Sequence, residues 1–206
     1  MTGVQTCALP ISSTSDQTDY KKYPYIVGNI FAATLPEQAG VWSYPVASPG
    51  SIGVVYEPSE DYIENNISAE RVTMNMVNAI LGRVHLASHI DLLNGELLRL
   101  VKEGVDYYNS LTDIKKKAYP YLPLGFARYG DSVVACGLKY LNKIYLAVWN
   151  LKGENKAIIP INEKVISVKV GYPMQLETKY SFNNGKLTVH FNEITARLFE
   201  IELLRE

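Results

Sequence analysis

The chain has 206 residues and sets 20 Lys and Arg against 21 Asp and Glu, a net charge of −1; the basic footprint of a nucleic-acid binder is missing. Apolar and charged fractions of 47% and 20% describe an ordinary globular chain, long enough for one or two domains with a real core. No apolar run approaches the roughly 18 residues that a membrane-spanning helix needs, which argues against a membrane partner.

The segment Met1–Ser12 is an odd protein start. It lacks the basic and apolar regions of a secretory leader. It resembles the translation of a sequencing-library adapter with a GTG codon read as methionine. On that reading residues 1–12 are non-native and natural sequence begins near Ser12 or Ser13, inside a longer protein. Cys7 falls in this segment, which leaves Cys136 alone in an apolar strand-like run, as a lone buried thiol.

Ser15-Asp16-Gln17-Thr18-Asp19-Tyr20 follows, with two carboxylates three positions apart among hydroxyls and phenols. A polar loop just ahead of a helix is what the carboxyl end of a catalytic barrel strand carries. The same residues also suit a helix N-terminus, where acidic groups answer orphan backbone N–H groups. Residues 26–34 then read as a helix stopped by Pro36, and Gly40–Val46 as a short strand closed by Pro45. Residues 48–66, rich in Pro, Ser, Glu and Asn, are too long for a mere connector. Ser68 is placed to cap a helix running to about Gly82, with Glu70 in its first turn. Apolar residues around most of that helix predict burial on more than one side. Val84–Ala87 reads as a strand and Asn94 as the cap of a helix bearing Leu97, Leu98, Val101, Val105 and Tyr108. Strand–helix repeats of this length predict parallel α/β structure.

After Lys117 the period changes from helical to alternating. Lys115-Lys116-Lys117 reads as a solvated turn, and residues 113–123, interrupted by Pro120 and Pro123, as a linker. Strand-like runs follow at 124–129, 132–138, 143–151, 164–172, 186–191 and 196–204. Asn184-Gly185 is a strong hairpin signal, because both residues must take positive φ. Leu141-Asn142 and Gly153-Glu154 mark further turns. Residues 124–206 therefore read as an antiparallel sandwich.

Other chemistry is thinly represented. His85 and His89, four apart with Asp91 beyond, would share a helical face as metal ligands, but the pattern switches from strand to loop between them. No glycine-rich loop opens a helix as phosphate binding requires, so no metal or other cofactor is expected. Met74 and Met76 read as core filler. Trp42 suits either a sugar face or burial in a barrel; Trp149 suits the sandwich core. The tyrosines, 15 in all, fit sugar sites and strands equally.

Three blocks together carry a resemblance: Leu35-Pro36-Glu37-Gln38-Ala39-Gly40-Val41-Trp42-Ser43-Tyr44-Pro45, then residues 74–89 (MNMVNAILGRVHLASH), then residues 100–108 (LVKEGVDYY). With them the chain resembles glycoside hydrolase family 36, the bacterial α-galactosidases. The resemblance implies the last part of a catalytic (β/α)8 TIM barrel over 13–112, followed by a C-terminal antiparallel β-sandwich. It also implies that Ser15-Asp16-Gln17-Thr18 matches the motif after the sixth barrel strand, with Asp16 as general acid/base and Asp19 supporting the loop. Members often have Trp two positions before Ser-Asp and Asn after it, where this chain has Ser13 and Gln17. The family's nucleophile lies in a Lys-Trp-Asp motif that this sequence does not contain, nor is there its Cys-Ser-Gly-Gly-Gly loop. The implied parent is a retaining, cytoplasmic, homo-oligomeric α-galactosidase acting on α-galactoside oligosaccharides of the melibiose or raffinose kind. β-L-Arabinopyranoside or α-N-acetylgalactosaminide specificity stays open. Without the nucleophile this chain alone is expected to be inactive.

The alternative is a non-catalytic carbohydrate-binding or interaction protein built on the sandwich, with residues 14–112 as an appendage. An independent appendage would not need helices that are apolar on several sides.

Overall fold

The computed structural model describes residues 12–13, 20–46 and 67–205. The first described part is a three-stranded parallel sheet in the order β1 (Ser12–Ser13), β2 (Ala39–Ser43), β3 (Arg83–Leu86). Helix α1 (Tyr23–Ile30) lies between the first two strands in the chain and α2 (Ala69–Ile80) between the second and third. Helices α3 (Gly95–Ser110) and α4 (Thr112–Lys115) follow β3. Crossovers between parallel strands need a dozen or more residues, which these helices supply. Among the described residues the parallel sheet consists of three strands and does not close into a barrel.

Local chemistry accounts for the helix starts. Ser68 Oγ accepts from the Arg71 amide at 3.1 Å, and Asn94 Oδ1 accepts from the amides of Glu96 and Leu97 at 3.1 and 3.0 Å. Both satisfy first-turn donors that have no helical partner. Helix α1 begins at Tyr23, earlier than the apolar pattern implies, because Pro24 fits a helix's first turn. Helix α2 is buried without a break from Val72 to Ile80. It meets α3 at Gly104, where a Cβ would lie 2.8 Å from Met76 Cε.

The second part holds two antiparallel sheets. One has five strands in the order β4 (Tyr119–Tyr121), β5 (Val133–Tyr140), β6 (Lys143–Asn150), β11 (Thr195–Leu203), β8 (Val165–Tyr172). The other has three: β7 (Lys156–Pro160), β10 (Lys186–His190), β9 (Tyr180–Asn183). The hairpin at Asn184-Gly185 forms with φ of 50° and 71°, and Leu141 (51°) and Gly153 (74°) mark the other expected turns.

Several segments depart from their sequence pattern. Tyr119–Tyr121, inside the stretch read as a linker, pairs with β5 as an edge strand, a position that tolerates the missing N–H of Pro120. Residues 124–129 form no strand; Gly125 and Gly130, at φ of 76° and 100°, turn the backbone there. Strands β7 and β9 are short edges of a three-stranded sheet with mixed exposure, so their alternation is weak in the sequence.

The inner strands β6 and β11 of the five-stranded sheet are buried on both faces. Ile144, Leu146 and Val148 of β6, with Phe199 and Ile201 of β11, pack on Leu187 and Val189 of the three-stranded sheet. Their neighbours Tyr145, Ala147, Trp149, Ala196 and Leu198 point the other way, into a core shared with Val27 of α1 and Val72, Met76 and Ile80 of α2. One face is thus closed by a sheet and the other by the helices of the parallel unit.

Candidate functional site

The carboxyl ends of parallel strands are where α/β folds place their chemistry. In β2, Val41 is fully buried in the helix-side core, and the Ser43 hydroxyl donates to the Asn75 carbonyl of α2 at 3.0 Å. Strand alternation therefore turns Trp42 to the opposite face of the strand. Its register partner on β3 is His85, and their rings lie 4.9 Å apart at 37°. Tyr44 also stacks on the indole, at 5.9 Å and 16°. These three rings make a half-buried aromatic surface at the C-terminal end of the sheet.

Burial, then the Arg83 charge, lowers the His85 pKa below its ordinary value, so the imidazole is neutral at pH 7. Its Nε2 is buried without a hydrogen-bond partner among the described residues. His89 lies beyond the strand, 3.9 Å from Asp91 across its Nδ1. The two histidines therefore do not share a helical face. Among the described residues no group of three or more His, Cys, Asp or Glu could hold a metal.

Ser88 sits between these elements with φ of 147°, a backbone region that non-glycine residues seldom occupy. Its Oγ accepts from the Val46 amide at 3.3 Å, tying the ends of β2 and β3 together.

Asp16 and Asp19 lie outside the described residues, which resume at Tyr20. At Tyr20 the chain is held from two directions. The Asn78 side chain of α2 donates to the Tyr20 carbonyl at 2.9 Å, and the Arg71 guanidinium lies 5.3 Å from the Tyr20 ring centroid. Asn78 Oδ1 in turn accepts from the Trp149 indole N–H at 2.8 Å. Sequence reading passed over Asn78. The available signal was an amide within an otherwise apolar, buried helix, where it must find partners.

Two charged residues, Lys115 and Glu70, also depart from their sequence pattern. Lys115, expected in a solvated turn, is only 3% exposed. Its ammonium donates to the carbonyls of Ile80 and Gly82 at 3.3 and 3.0 Å and sits 3.5 Å from the Tyr108 ring centroid. Burial pulls its pKa down to about 7. Lys116, by contrast, is exposed and pairs with Asp113 at 2.8 Å. Glu70, read only as a first-turn residue of α2, grips Arg197 of β11 with both carboxylate oxygens at 2.6 Å. Burial alone would raise the Glu70 pKa, but the hydrogen bonds and charge of Arg197, with the Thr195 hydroxyl, outweigh it and hold the carboxyl below its ordinary value. Cys136 is free and buried, its thiol pushed up to about 12 by burial; such a thiol is no nucleophile.

No family model matches the chain, and no curated protein does. Solved structures do. A glycoside hydrolase family 36 α-galactosidase of Geobacillus stearothermophilus, in complex with 1-deoxygalactonojirimycin, superposes over 93% of this chain and 25% of its own, with TM-score 0.64 and 11% identity. The α-galactosidase of Lactobacillus brevis matches over 94% of this chain and 26% of its own, with TM-score 0.62 and 14% identity. An Anoxybacillus α-amylase matches over 94% of this chain and 48% of its own, with TM-score 0.54 and 11% identity. The chain thus spans about a quarter of the length of the α-galactosidases it matches. At this identity the likeness is one of fold: the chain is built like the C-terminal portion of family 36 α-galactosidases.

Proposed function

We propose that this chain is part of a retaining α-galactosidase, in which residues from Ser13 to the end of α3 complete a catalytic (β/α)8 barrel and the antiparallel sheets form the C-terminal sandwich. The observation that carries this reading is the order of parts. A parallel β–α–β–α–β unit runs directly into a two-sheet antiparallel region, and that whole arrangement superposes on α-galactosidases over 93% of the chain. In the sequence, the Ser15-Asp16-Gln17-Thr18 motif begins two positions after β1.

In this reading Asp16 is the general acid/base. It protonates the departing glycosidic oxygen and then takes a proton from the incoming water. That task needs a carboxyl group whose proton is retained until transfer. A retaining mechanism also needs a second carboxylate about 5–5.5 Å away as nucleophile. The sequence has no Lys-Trp-Asp motif to supply it, so that group belongs to the remainder of the parent. The aromatic surface of Trp42, Tyr44 and His85 suits the apolar face of a sugar ring, with the neutral imidazole as a hydrogen-bonding group. The substrate is then a terminal α-galactoside of an oligosaccharide, and no cofactor takes part.

The test is hydrolysis of a nitrophenyl α-galactoside. The 206-residue chain alone should show none, and the complete enzyme should turn it over. Asp16→Asn in the complete enzyme should lower kcat by about 10²–10⁴-fold, the usual worth of a general acid/base. Turnover by the isolated chain, or full activity of the Asp16→Asn enzyme, would refute the assignment.

A further inference from the structure

Asn78 lies in the last turn of α2, 1% exposed, and both ends of its amide are used. Its Oδ1 accepts from Trp149, a fully buried residue of the five-stranded sheet, and its Nδ2 donates to the Tyr20 carbonyl. The three residues are remote in sequence, with separations of 71 and 58 positions. Tyr20 is the first described residue after the segment carrying Asp16, and it leads straight into α1. Helix α2 cannot slide beneath this connection, because the Glu70–Arg197 pair fixes its first turn to β11.

We propose that Asn78 and Trp149 are positioning residues: through one buried and one half-buried hydrogen bond the antiparallel sheet sets the backbone at Tyr20, from which the chain enters α1. This rests on the reading of Asp16 as the acid/base. A carboxyl group that must meet a glycosidic oxygen has to be held within a fraction of an ångström by groups that are themselves locked. Trp149 is locked by the core around it, and Asn78 is oriented by having one donor and one acceptor to serve. The antiparallel part is then a frame for the barrel's chemistry.

Hydrogen exchange on the 206-residue chain tests the connection without any catalysis. Trp149→Phe removes the donor while keeping a ring; Asn78→Asp keeps the acceptor for Trp149 but removes the donor to Tyr20 at neutral pH. Amides from Tyr20 to Tyr25 should exchange about tenfold faster in both variants, while those of β5 and β11 change less than about twofold. Unchanged exchange at Tyr20–Tyr25, or an equal rise across β5 and β11, would overturn the proposal, the latter by showing a bond that only stabilises the core. In the complete enzyme, Asn78→Asp should lower kcat more than it alters KM. If the Asp16→Asn enzyme retains activity while the exchange result holds, the acid/base reading fails and the connection stands; the reverse pair of results separates them equally well.

Discussion

The two faces of the five-stranded sheet are closed by partners of different kinds. On one side the cover is the three-stranded sheet, joined to it by short connections and packed with aliphatic residues such as Leu146, Leu187 and Ile201. On the other side the cover is α1 and α2, which come from the far end of the sequence. That second face carries the larger and more specific contacts: Trp149 to Asn78, Arg197 to Glu70, and Tyr172, whose hydroxyl donates to the Leu100 carbonyl at 3.1 Å. A sandwich needs only its two sheets; here the larger sheet needs the parallel unit as well. The chain's two halves share one core.

The harshest way to break this comparison is to remove the helical cover. A chain shortened to begin at Ala118 would present Val134, Cys136, Leu138, Ala147, Trp149, Tyr172 and Leu198 to water. An apolar face of that extent drives association. We expect this version to aggregate or to bind a hydrophobic dye, and a soluble monomer with a cooperative melt would argue against the shared core.

Next in size is the ion pair across the same boundary. Glu70→Ala leaves the Arg197 guanidinium buried and unpaired, which should cost about 3–5 kcal/mol by urea titration. Because the Glu70 pKa is lowered in the folded state, its contribution is present above the ordinary carboxylate range and fades as the pH falls below it. The variant should therefore differ most from the parent at neutral pH and least in acid.

Lys115 sharpens the comparison from within the parallel unit. Burial draws it from 10.5 to about 7, so between those values the unfolded chain holds a proton that the folded chain has released. Stability from this group is lowest below about pH 7 and rises towards 10.5. Lys115→Met should abolish that rise in urea titrations run across the interval; an unchanged slope would show that the ammonium stays charged. The smallest effect belongs to the sheet-covered face. Gly185→Ala, at φ of 71° and with the Ile161 carbonyl 3.2 Å from the new Cβ, should cost only about 1 kcal/mol.

What could be read from the residues divides along physical lines. Caps at Ser68 and Asn94 and the hairpin at Asn184-Gly185 are decided by neighbours in sequence, and they were legible. So was the burial of α2, which its all-round apolar composition requires. Alternation in β6 was visible too, but not that both of its faces are dry, since Tyr145, Ala147 and Trp149 suit a half-exposed strand equally well. Lys115 and Glu70 look like solvated charges until partners more than thirty residues away in the chain reach them. The site was legible only as types of residue: Trp42 and His85 could be named separately, whereas their stacking depends on the β2–β3 register. Asp16 was legible only through its motif and lies outside the described residues.

Limited proteolysis of the purified chain, with fragments identified by mass, tests the shared core most directly. The structure calls for a single resistant body that keeps α2 and α3 together with both antiparallel sheets, and that is lost as a whole when it is cut. A stable fragment beginning near Tyr119, with residues 67–118 digested away, would contradict it and leave the antiparallel part as a domain that stands without the parallel unit.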